Sequence, residues 1–354
     1  MSFLELCQLR KTYADGTEAV KSIDFAAVTG EFIVLLGPSG CGKTTTLRMI
    51  AGLETPTGGS ITIGGRDVTR LSPAERDVGF VFQFYALYPH MTVRQNIAFP
   101  LDAVGTKRAV RNAMVEAVAG GMGLGGLLHR YPRQLSGGDQ QRVSLARAIV
   151  RKPRVWLMDE PLGTLDADQR LGMREFIRAR QQEMGVTTVY VTHDQEEAMS
   201  LADRIVVMHD GEISQVGPPA DVYDQPASLF VASFVGSPGM NFIPGVAQAT
   251  AFVPEGSHVR IPIGRALPPG PVTLGVRPEY VREAADGPIA GRVVLDEYQG
   301  SFRIVHVDAG FAHNLLMRVP VSGDRSAKGV GQQVRLGFDP AHTRFFASGS
   351  GRSV

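Results

Sequence analysis

The feature that most constrains this chain is a glycine-rich stretch between an apolar run and a helix-like segment. The stretch is Gly37-Pro38-Ser39-Gly40-Cys41-Gly42-Lys43-Thr44, and the run before it is Phe32-Ile33-Val34-Leu35-Leu36. Gly40 and Gly42 allow backbone N–H groups to turn inward around phosphates, and the positive end of a following helix also favours an anion. Strand, loop and helix in this order predict a phosphate-binding loop, and hence a nucleotide site.

The last two residues of this stretch have side chains suited to a nucleotide and its metal ion. The Lys43 ammonium would reach the β- and γ-phosphates, and the Thr44 hydroxyl would bind Mg²⁺. An ordinary glycine turn is the alternative interpretation. The flanking strand and helix favour the phosphate-binding loop, because that motif requires both of them.

Length, charge and cysteine content limit the class of protein. A chain of 354 residues exceeds the size, about 250–300 residues, at which single cores tend to split, which favours two domains. With 36 basic and 35 acidic residues, the net charge is +1, and we expect no nucleic-acid partner. The two cysteines, Cys7 and Cys41, favour a reducing compartment. We expect no leader and no membrane span, so that any membrane is contacted through a partner.

Polar residues follow three further strand-like runs. Gln83 follows Val78 to Phe82, Asp159 and Glu160 end the run that starts at Val155, and His193 follows Thr187 to Thr192. Because ligands of α/β proteins bind outside the carboxyl ends of strands, His193 and the two acids are expected at one edge. A lone Gln at a strand end, such as Gln83, is usually just polar. Asp159 would hold Mg²⁺ through water, and Glu160 would polarise the attacking water. A purely structural role is the alternative for His193, and its place beside the two acids argues against it.

A second anion-binding pattern lies at residues 135–142. The sequence Leu135-Ser136-Gly137-Gly138-Asp139-Gln140 precedes a strongly helical segment, Val143 to Ile149. Ser136 is well placed as the N-cap, and the glycines leave backbone donors accessible at the helix N-terminus. Two anion sites on one chain therefore need an explanation.

Taken together, these segments resemble the ATPase subunit of an ATP-binding-cassette (ABC) transporter over residues 3 to about 235. In chain order the resemblance assigns Tyr13 to adenine stacking, Gly37 to Thr44 to Walker A, Gln83 to the Q-loop, Leu135 to Gln140 to the signature, Val155 to Asp159 to Walker B, Glu160 to the catalytic base, Leu165-Asp166 to the D-loop and His193 to the switch histidine. The cofactors it implies are ATP and Mg²⁺.

The same resemblance implies three sets of site residues. The expected catalytic residues are Lys43, Gln83, Glu160 and His193. The expected Mg²⁺ ligands are Thr44, Gln83 and Asp159. The expected ATP contacts are Tyr13, Gly37, Ser39, Gly40, Cys41, Gly42, Lys43, Thr44, Thr45, Ser136, Gly137, Gly138 and Asp166.

In this family two cassettes pair head to tail, which accounts for two anion sites on one chain. Each ATP lies between Walker A of one cassette and the signature of the other, so the resemblance implies a second ATPase subunit as partner. Asp139 stands where Gln is usual, and Gly163-Thr164 stand where Ser-Asn is usual. These departures raise the hypothesis of a heterodimer with a different cassette, beside the homodimer.

Two segments most resemble bacterial importers that take solute from a binding protein. They are Phe82 to Val93 and His193 to Met199. In such importers residues 84–91 form much of a groove for a short helix of the membrane permease, although these aromatic side chains could also fill the core. The implied partners are permease subunits and, indirectly, a solute-binding protein. The implied location is the cytoplasmic face of the inner membrane, as a peripheral subunit.

From Pro238 the composition changes, and a linker, Gly236 to Phe242, is followed by short strands separated by Gly and Pro turns, which predicts a small β-barrel. The phrase Leu274-Gly275-Val276-Arg277-Pro278-Glu279 resembles the accessory domain of these importers. The favoured role of this domain is dimerisation and regulation, and ligand binding in the barrel is the alternative. The expected domains are 1–235, with a helical subdomain at about 84–150, and 236–354. The expected fold class is an α/β P-loop NTPase cassette, with a RecA-like core plus antiparallel β and helical subdomains, followed by an all-β OB-like barrel.

The resemblance favours a sugar, sugar alcohol such as glycerol, or glycerol 3-phosphate as the solute. A polyamine or ferric-iron importer is the alternative. A soluble ABC ATPase outside transport is disfavoured, because the chain has neither coiled-coil insertions nor two cassettes. A binding module without turnover is disfavoured by the presence of Glu160 and His193.

Overall fold

A computed structural model describes residues 2–321 and 329–354 of the chain. It divides into two compact units, Met1–Pro219 and Ala220–Val354. The domain boundary expected from the sequence lies later, after residue 235. Residues 220–235 belong to the second unit. There the guanidinium of Arg277 donates to the carbonyl oxygens of Tyr223 and Val235 at 2.5 and 2.6 Å.

The first unit contains an antiparallel sheet, a mostly parallel sheet and six helices among its described residues. The strands are β1 (Leu4–Thr12), β2 (Glu18–Ala27), β3 (Phe32–Leu36), β4 (Gly58–Ile63), β5 (Arg66–Asp67), β6 (Val78–Val81), β7 (Val155–Asp159), β8 (Thr187–Thr192), β9 (Arg204–His209) and β10 (Glu212–Gly217). The helices are α1 (Lys43–Ala51), α2 (Val93–Ala103), α3 (Arg108–Gly121), α4 (Gly137–Ile149), α5 (Ala167–Met184) and α6 (Gln195–Leu201).

The larger sheet brings four strand ends to one edge. Its strand order is β10-β9-β3-β8-β7-β6, and every pair except β10 with β9 is parallel. All residues of β3, β7 and β8 are buried, as expected for parallel strands that are covered on both faces. The predicted phosphate loop and the predicted polar residues follow the carboxyl ends of β3, β6, β7 and β8, so they share this edge.

The smaller sheet packs with α1 in the main core. Its strand order is β2-β1-β4-β5, and all of its pairs are antiparallel. Apolar residues of both sheets and of α1, among them Leu6, Leu35 and Leu47, form one buried cluster. The phosphate loop is therefore fixed to a rigid base on both sides.

The region expected to be helical, residues 84–150, begins with a loop and contains three helices. Residues 84–92 precede α2, and the helical pattern expected from residue 96 to about 130 is interrupted twice. The first break is at Gly105, which has a φ of 69°, and the second begins at the end of α3, in the glycine-rich run. The glycine run therefore ends a helix, as its cost within helices predicts.

The second unit is mostly antiparallel β-structure, in agreement with the predicted barrel. After α7 (Pro219–Asp224) and α8 (Leu229–Phe234) its strands are β11 (Asn241–Pro254), β12 (Ile261–Val276), β13 (Val281–Glu283), β14 (Ile289–Tyr298), β15 (Phe302–Asp308), β16 (Leu315–Pro320), β17 (Gln333–Phe338) and β18 (Thr343–Ala347). They form sheets of order β11-β12-β18 and β13-β17-β14-β15-β16 around a core of their own. Asn241 and Phe242, expected in a linker, instead begin β11.

Across residues 2–321 and 329–354, no helix is both long enough and apolar enough to cross a membrane.

Candidate functional site

The loop between β3 and α1 adopts a conformation that two glycines permit. Gly40 and Gly42 have φ angles of 80° and 99°, in the left-handed region that favours glycine. A Cβ on Gly42 would lie 2.4 Å from the carbonyl oxygen of Ala19, so a larger residue does not fit there. The first N–H groups of α1 lack partners within the helix and favour an anion, as the phosphate-loop prediction requires.

Lys43 opens α1 with its ammonium buried against this loop. The side chain is only 5% exposed, and Nζ donates to the carbonyl oxygens of Gly37 and Pro38 at 2.7 and 2.8 Å. In the part of the chain that the structure describes, no carboxylate pairs with this ammonium. A buried cation is costly without a counter-ion, so this position suits an anionic ligand such as a nucleotide phosphate.

Thr44 and Asp159 place two oxygen atoms together beside Lys43. The Thr44 hydroxyl donates to Oδ1 of Asp159 at 2.9 Å, which joins the start of α1 to the end of β7. Burial raises the pKa of Asp159, and the hydrogen bond from Thr44 partly offsets this effect. Hydroxyl and carboxylate oxygens are ligands that Mg²⁺ accepts, so this pair fits the ion.

Glu160 connects two other predicted residues at the same edge of the sheet. Nε2 of Gln83 donates to Oε2 of Glu160 at 2.9 Å, and Nδ1 of His193 lies 3.2 Å from Oε1. Both carboxylate oxygens are therefore held, one from the segment after β6 and one from the segment after β8. The carboxylate is positioned rather than free to rotate.

The backbone at Glu160 turns sharply as the chain leaves β7. Its φ angle is 44°, an unusual value for a residue with a side chain, and its N–H donates to the carbonyl of Val191 at 3.0 Å. This bond fastens the turn to β8. Strained backbone of this kind is typical of functional positions.

The loop that carries His193 is fixed from the protein interior. Glu197, which is 4% exposed, accepts hydrogen bonds from the hydroxyls of Tyr190 and Thr192, both at 2.8 Å. The Asp194 N–H donates to the Thr192 hydroxyl, and the Asp194 carboxylate caps α6. Burial raises the pKa of Glu197, and its hydrogen bonds partly offset this effect. These contacts leave His193 itself exposed at the sheet edge.

Tyr13 lies near the start of α1, as adenine stacking would require. Its side chain is 38% exposed, and its hydroxyl is 3.4 Å from the Thr45 hydroxyl. Nζ of Lys11 lies 5.0 Å from the ring centroid. One face of the ring thus has a cation near it, and the ring remains accessible to a planar ligand.

The predicted signature forms the start of α4. Ser136 is the N-cap, and its hydroxyl accepts from the Asp139 N–H and donates to the Asp139 carboxylate at 2.8 Å. Asp139 also pairs with Arg142. Partial burial raises the pKa of Asp139, but the hydrogen bonds from Arg142 and Ser136 outweigh it, and the net shift is downward. Asp139 is therefore ionised at neutral pH.

The signature and the phosphate loop are not joined within one chain. Over residues 2–321 and 329–354, no hydrogen bond links the loop of residues 37–44 to Ser136, Gly137 or Gly138. Asp166 likewise has no hydrogen bond to the loop in the described residues. It is the N-cap of α5 and accepts from the Gln169 N–H at 2.9 Å. Of the predicted residues, the structure brings together those after β3, β6, β7 and β8, and it leaves Ser136, Gly137, Gly138 and Asp166 elsewhere.

Residues 84–91, which we call the docking loop, are held by α4. Tyr85 and Ala86 both have positive φ angles, 45° and 49°, and Phe84 is 75% exposed. The guanidinium of Arg147 donates to the carbonyl oxygens of Tyr85 and Ala86 at 2.9 and 2.6 Å. Beside the loop lies a groove of about 420 Å³, lined by Phe82, Ala86, Tyr88, Phe99 and Arg147 among others.

Several of these supporting residues escaped the sequence analysis. Arg147 and Ser144 contact the docking loop from far along the chain, and no local pattern marks such contacts. Glu197 was missed as well, although it binds Thr192 only five positions away. Asn96 was also missed, although its side chain binds the carbonyl oxygens of Tyr88 and Met91 and fixes the docking loop. An asparagine at the start of the predicted helical pattern was the available signal.

Comparisons with known families agree with this geometry. Residues 20–163 match the ABC transporter family, residues 236–281 match the MalK OB fold domain, and residues 274–346 match the TOBE domain. The first match covers the phosphate loop, the docking loop, the signature and Glu160. The other two cover most of the second unit.

Similar proteins extend the likeness to nearly the whole chain. An sn-glycerol-3-phosphate import ATP-binding protein of Chromohalobacter salexigens is 47% identical over 353 residues, which are 98% of this chain and 94% of the relative. A protein of the same name from a Ruegeria species (strain TM1040) is 50% identical over 306 residues, 86% of each chain. A third, from Vibrio cholerae, is 52% identical over 277 residues, 78% of this chain and 74% of the relative.

Proposed function

This chain belongs to the ABC transporter family, among the import ATP-binding proteins, and from that premise we propose that it pairs with a second cassette and powers import of sn-glycerol 3-phosphate or a related polyol or sugar. The observation that carries this proposal is the positioned carboxylate of Glu160, held by Gln83 and His193 on the same sheet edge as Lys43. A module that only binds nucleotide has no need of such an arrangement.

The roles of the residues follow from their chemistry. Lys43 exchanges its bonds with the carbonyls of Gly37 and Pro38 for bonds with phosphate oxygens. Thr44, Asp159 and Gln83 would hold Mg²⁺, which when bound neutralises charge on the transferred phosphoryl group. Tyr13 would stack on the adenine ring.

Glu160 acts on water rather than on the nucleotide. Its carboxylate accepts a hydrogen bond from the attacking water and orients it in line with the bond that breaks. Gln83 and His193 fix the carboxylate during this step. The remaining residues of the loop, Gly37, Ser39, Gly40, Cys41 and Gly42, would cradle phosphates mainly through the backbone.

Pairing of two cassettes gives the signature its role. Ser136, Gly137 and Gly138 lie at a helix N-terminus that, in the described residues, has no hydrogen bond to the phosphate loop, which supports a nucleotide held by a second subunit as their ligand. Closing the pair would exclude water and strengthen the electrostatic interactions around the phosphates. Asp166 would lie near the same interface. Either a second copy of this chain or a different cassette could supply the other half.

The permease is the second partner in this proposal. The groove beside the docking loop is lined by aromatic and aliphatic side chains with Arg147 at its edge, which suits a short helix of a membrane subunit. Through that contact the chain would work peripherally, at the cytoplasmic face of the membrane. A solute-binding protein would act on the permease and not on this chain.

The solute is proposed from the names of the relatives, each an sn-glycerol-3-phosphate import ATP-binding protein. A polyamine or ferric-iron importer is the alternative. The test uses the whole transporter, purified from its host through a tag on this chain and placed in vesicles with its solute-binding protein. Stimulation of ATP hydrolysis by sn-glycerol 3-phosphate, and not by spermidine or ferric ion, is the expected result. Stimulation by spermidine or ferric ion alone would contradict the proposed solute.

The ATPase role is tested with Glu160→Gln. This variant is expected to bind ATP as the wild type does while hydrolysis falls by about 10²–10⁴-fold, the contribution typical of a general base. Radiolabelled phosphate release and nucleotide binding measure the two effects separately. Glu183→Gln is the matched control, since that carboxylate is exposed on α5. Lys43→Ala serves as the binding-deficient control, and a Glu160→Gln variant with wild-type turnover would contradict the role of Glu160.

A further inference from the structure

Tyr85 is fixed at both of its ends. Its carbonyl oxygen accepts hydrogen bonds from the Ser144 hydroxyl and from the Arg147 guanidinium, both at 2.9 Å. Its phenol oxygen lies 2.7 Å from the Thr164 hydroxyl, and either group can donate. One residue of the docking loop thus contacts α4 at one end and the segment before Asp166 at the other.

The phenol oxygen also lies against the start of the signature helix. A Cβ built on Gly137 would be 3.2 Å from this oxygen, so the absence of a side chain at residue 137 leaves space for it. Gly137 follows Ser136, and Thr164 lies two residues before Asp166. A single hydroxyl group therefore contacts both segments that are proposed to face the second cassette.

The backbone of the docking loop has to be held in place. Tyr85 and Ala86 are consecutive residues with φ angles of 45° and 49°, and residues with side chains adopt such a conformation only when their surroundings enforce it. The bonds from Ser144, Arg147 and Thr164 are the contacts that enforce it here. If the loop shifts, these bonds carry the shift to their partners.

We propose that the hydroxyl pair of Tyr85 and Thr164 is a positioning junction, which sets Ser136 and Asp166 in the geometry needed for closure on ATP. This inference rests on the proposed function, because it concerns the closing of two cassettes around the nucleotide. In the part of the chain that the structure describes, neither residue has a hydrogen bond to the phosphate loop. Loss of the junction therefore lowers turnover, while the affinity of the chain's own phosphate loop for ATP stays the same.

The test removes each hydroxyl from the full-length protein and measures ATP hydrolysis against ATP concentration. Tyr85→Phe and Thr164→Val are each expected to lower kcat by about 5–10-fold, the effect of one lost hydrogen bond. KM for ATP should stay within about twofold, since binding by Lys43 is unaffected. The double variant should be no slower than the slower single variant, because both changes remove the same contact.

Two further variants separate this role from a general effect on folding. Thr164→Ser keeps the hydroxyl and is expected to restore wild-type kcat. Tyr298→Phe is the matched control, because it removes an exposed phenol in the second unit whose oxygen has no hydrogen bond in the described residues. Thermal unfolding of each variant shows whether the fold is intact.

Two outcomes would overturn the inference. Single variants that turn over at the wild-type rate, or losses that multiply in the double variant, would show that the two hydroxyls do not act together. ATP hydrolysis at the wild-type rate in the Glu160→Gln variant would instead contradict the proposed function, and with it the role of the junction. The Glu160→Gln variant, measured alongside, distinguishes these cases.

Discussion

At the scale of single residues, Glu160 combines a chemical role with a strained backbone. Its φ of 44° costs a residue with a side chain about 1–2 kcal/mol, a cost that glycine avoids. Glu160→Ala and Glu160→Gly both remove the carboxylate, so a comparison of the two isolates the backbone term. We expect the free energy of unfolding of the glycine variant to be about 0.5–1 kcal/mol higher than that of the alanine variant. This net figure is the relief of backbone strain minus the cost of the greater freedom of glycine in the unfolded chain.

Urea unfolding followed by tryptophan fluorescence measures this difference, because Trp156 lies in β7, four residues before Glu160. Both variants should lack ATP hydrolysis. The control is Ala148→Gly. Ala148 lies inside α4, where replacing alanine by glycine should lower the free energy of unfolding. Equal stability of the two variants at residue 160 would mean that the turn after β7 carries no strain.

The residues of the site differ in how far the sequence could predict them. That Lys43, Thr44 and Asp159 lie at one edge could be predicted, because it depends on spacing within one loop and at one strand end. The contact between Gln83 and Glu160 spans 77 positions, and that between Tyr85 and Thr164 spans 79. Such pairs are set by the order of strands in the sheet, which no local pattern records.

At the scale of elements, the start of α4 serves two purposes that conflict. Asp139 in its first turn stabilises the helix N-terminus by about 0.3–1 kcal/mol through the helix dipole. The same carboxylate is ionised, and it would repel a phosphate bound to Ser136 and Gly138. Asp139→Asn is therefore expected to lower the free energy of unfolding by about 0.5–1 kcal/mol and to raise kcat/KM for ATP about 3–10-fold at low salt.

A salt series measures the electrostatic part of this effect, which should shrink as ionic strength rises. Asp221→Asn is the matched control, since it removes an acid from the first turn of α7, in the other unit. We expect that control to leave kcat/KM unchanged at every salt concentration. An Asp139→Asn variant with lower activity would show that the ion pair with Arg142 matters more than the repulsion.

Elements were predicted best where one local rule decides them. The local sequence alone predicts the buried strands β3, β7 and β8 and the N-cap at Ser136. Short strands were predicted for the second unit, but not the full length of β12 or its pairing with both β11 and β18. Register there depends on partners distant in the chain. The segment 220–235 was assigned to the first domain, because the buried bonds of Arg277 to its carbonyls are likewise not local.

At the scale of the whole molecule, each unit has a core of its own. The buried cluster that contains Leu35 and Leu157 lies within residues 1–219, and the cluster that contains Phe252 and Leu336 lies within residues 220–354. Units with separate cores can unfold separately. The nucleotide residues all lie in the first unit, so ligand binding should stabilise that unit alone.

We therefore expect two thermal transitions, of which ATP with Mg²⁺ raises only one. The chain has a single tryptophan, Trp156, and it is buried in β7, so fluorescence follows the first unit while calorimetry follows both. In the Glu160→Gln background, where ATP is not consumed, ligand at about 100 times its Kd adds about 2.7 kcal/mol. For a unit of this size that is a shift of about 5–10 °C in the fluorescence-detected transition. The second calorimetric transition should not move, and Lys43→Ala should abolish the shift. A second transition that follows ATP as closely as the first would show that the two units unfold as one.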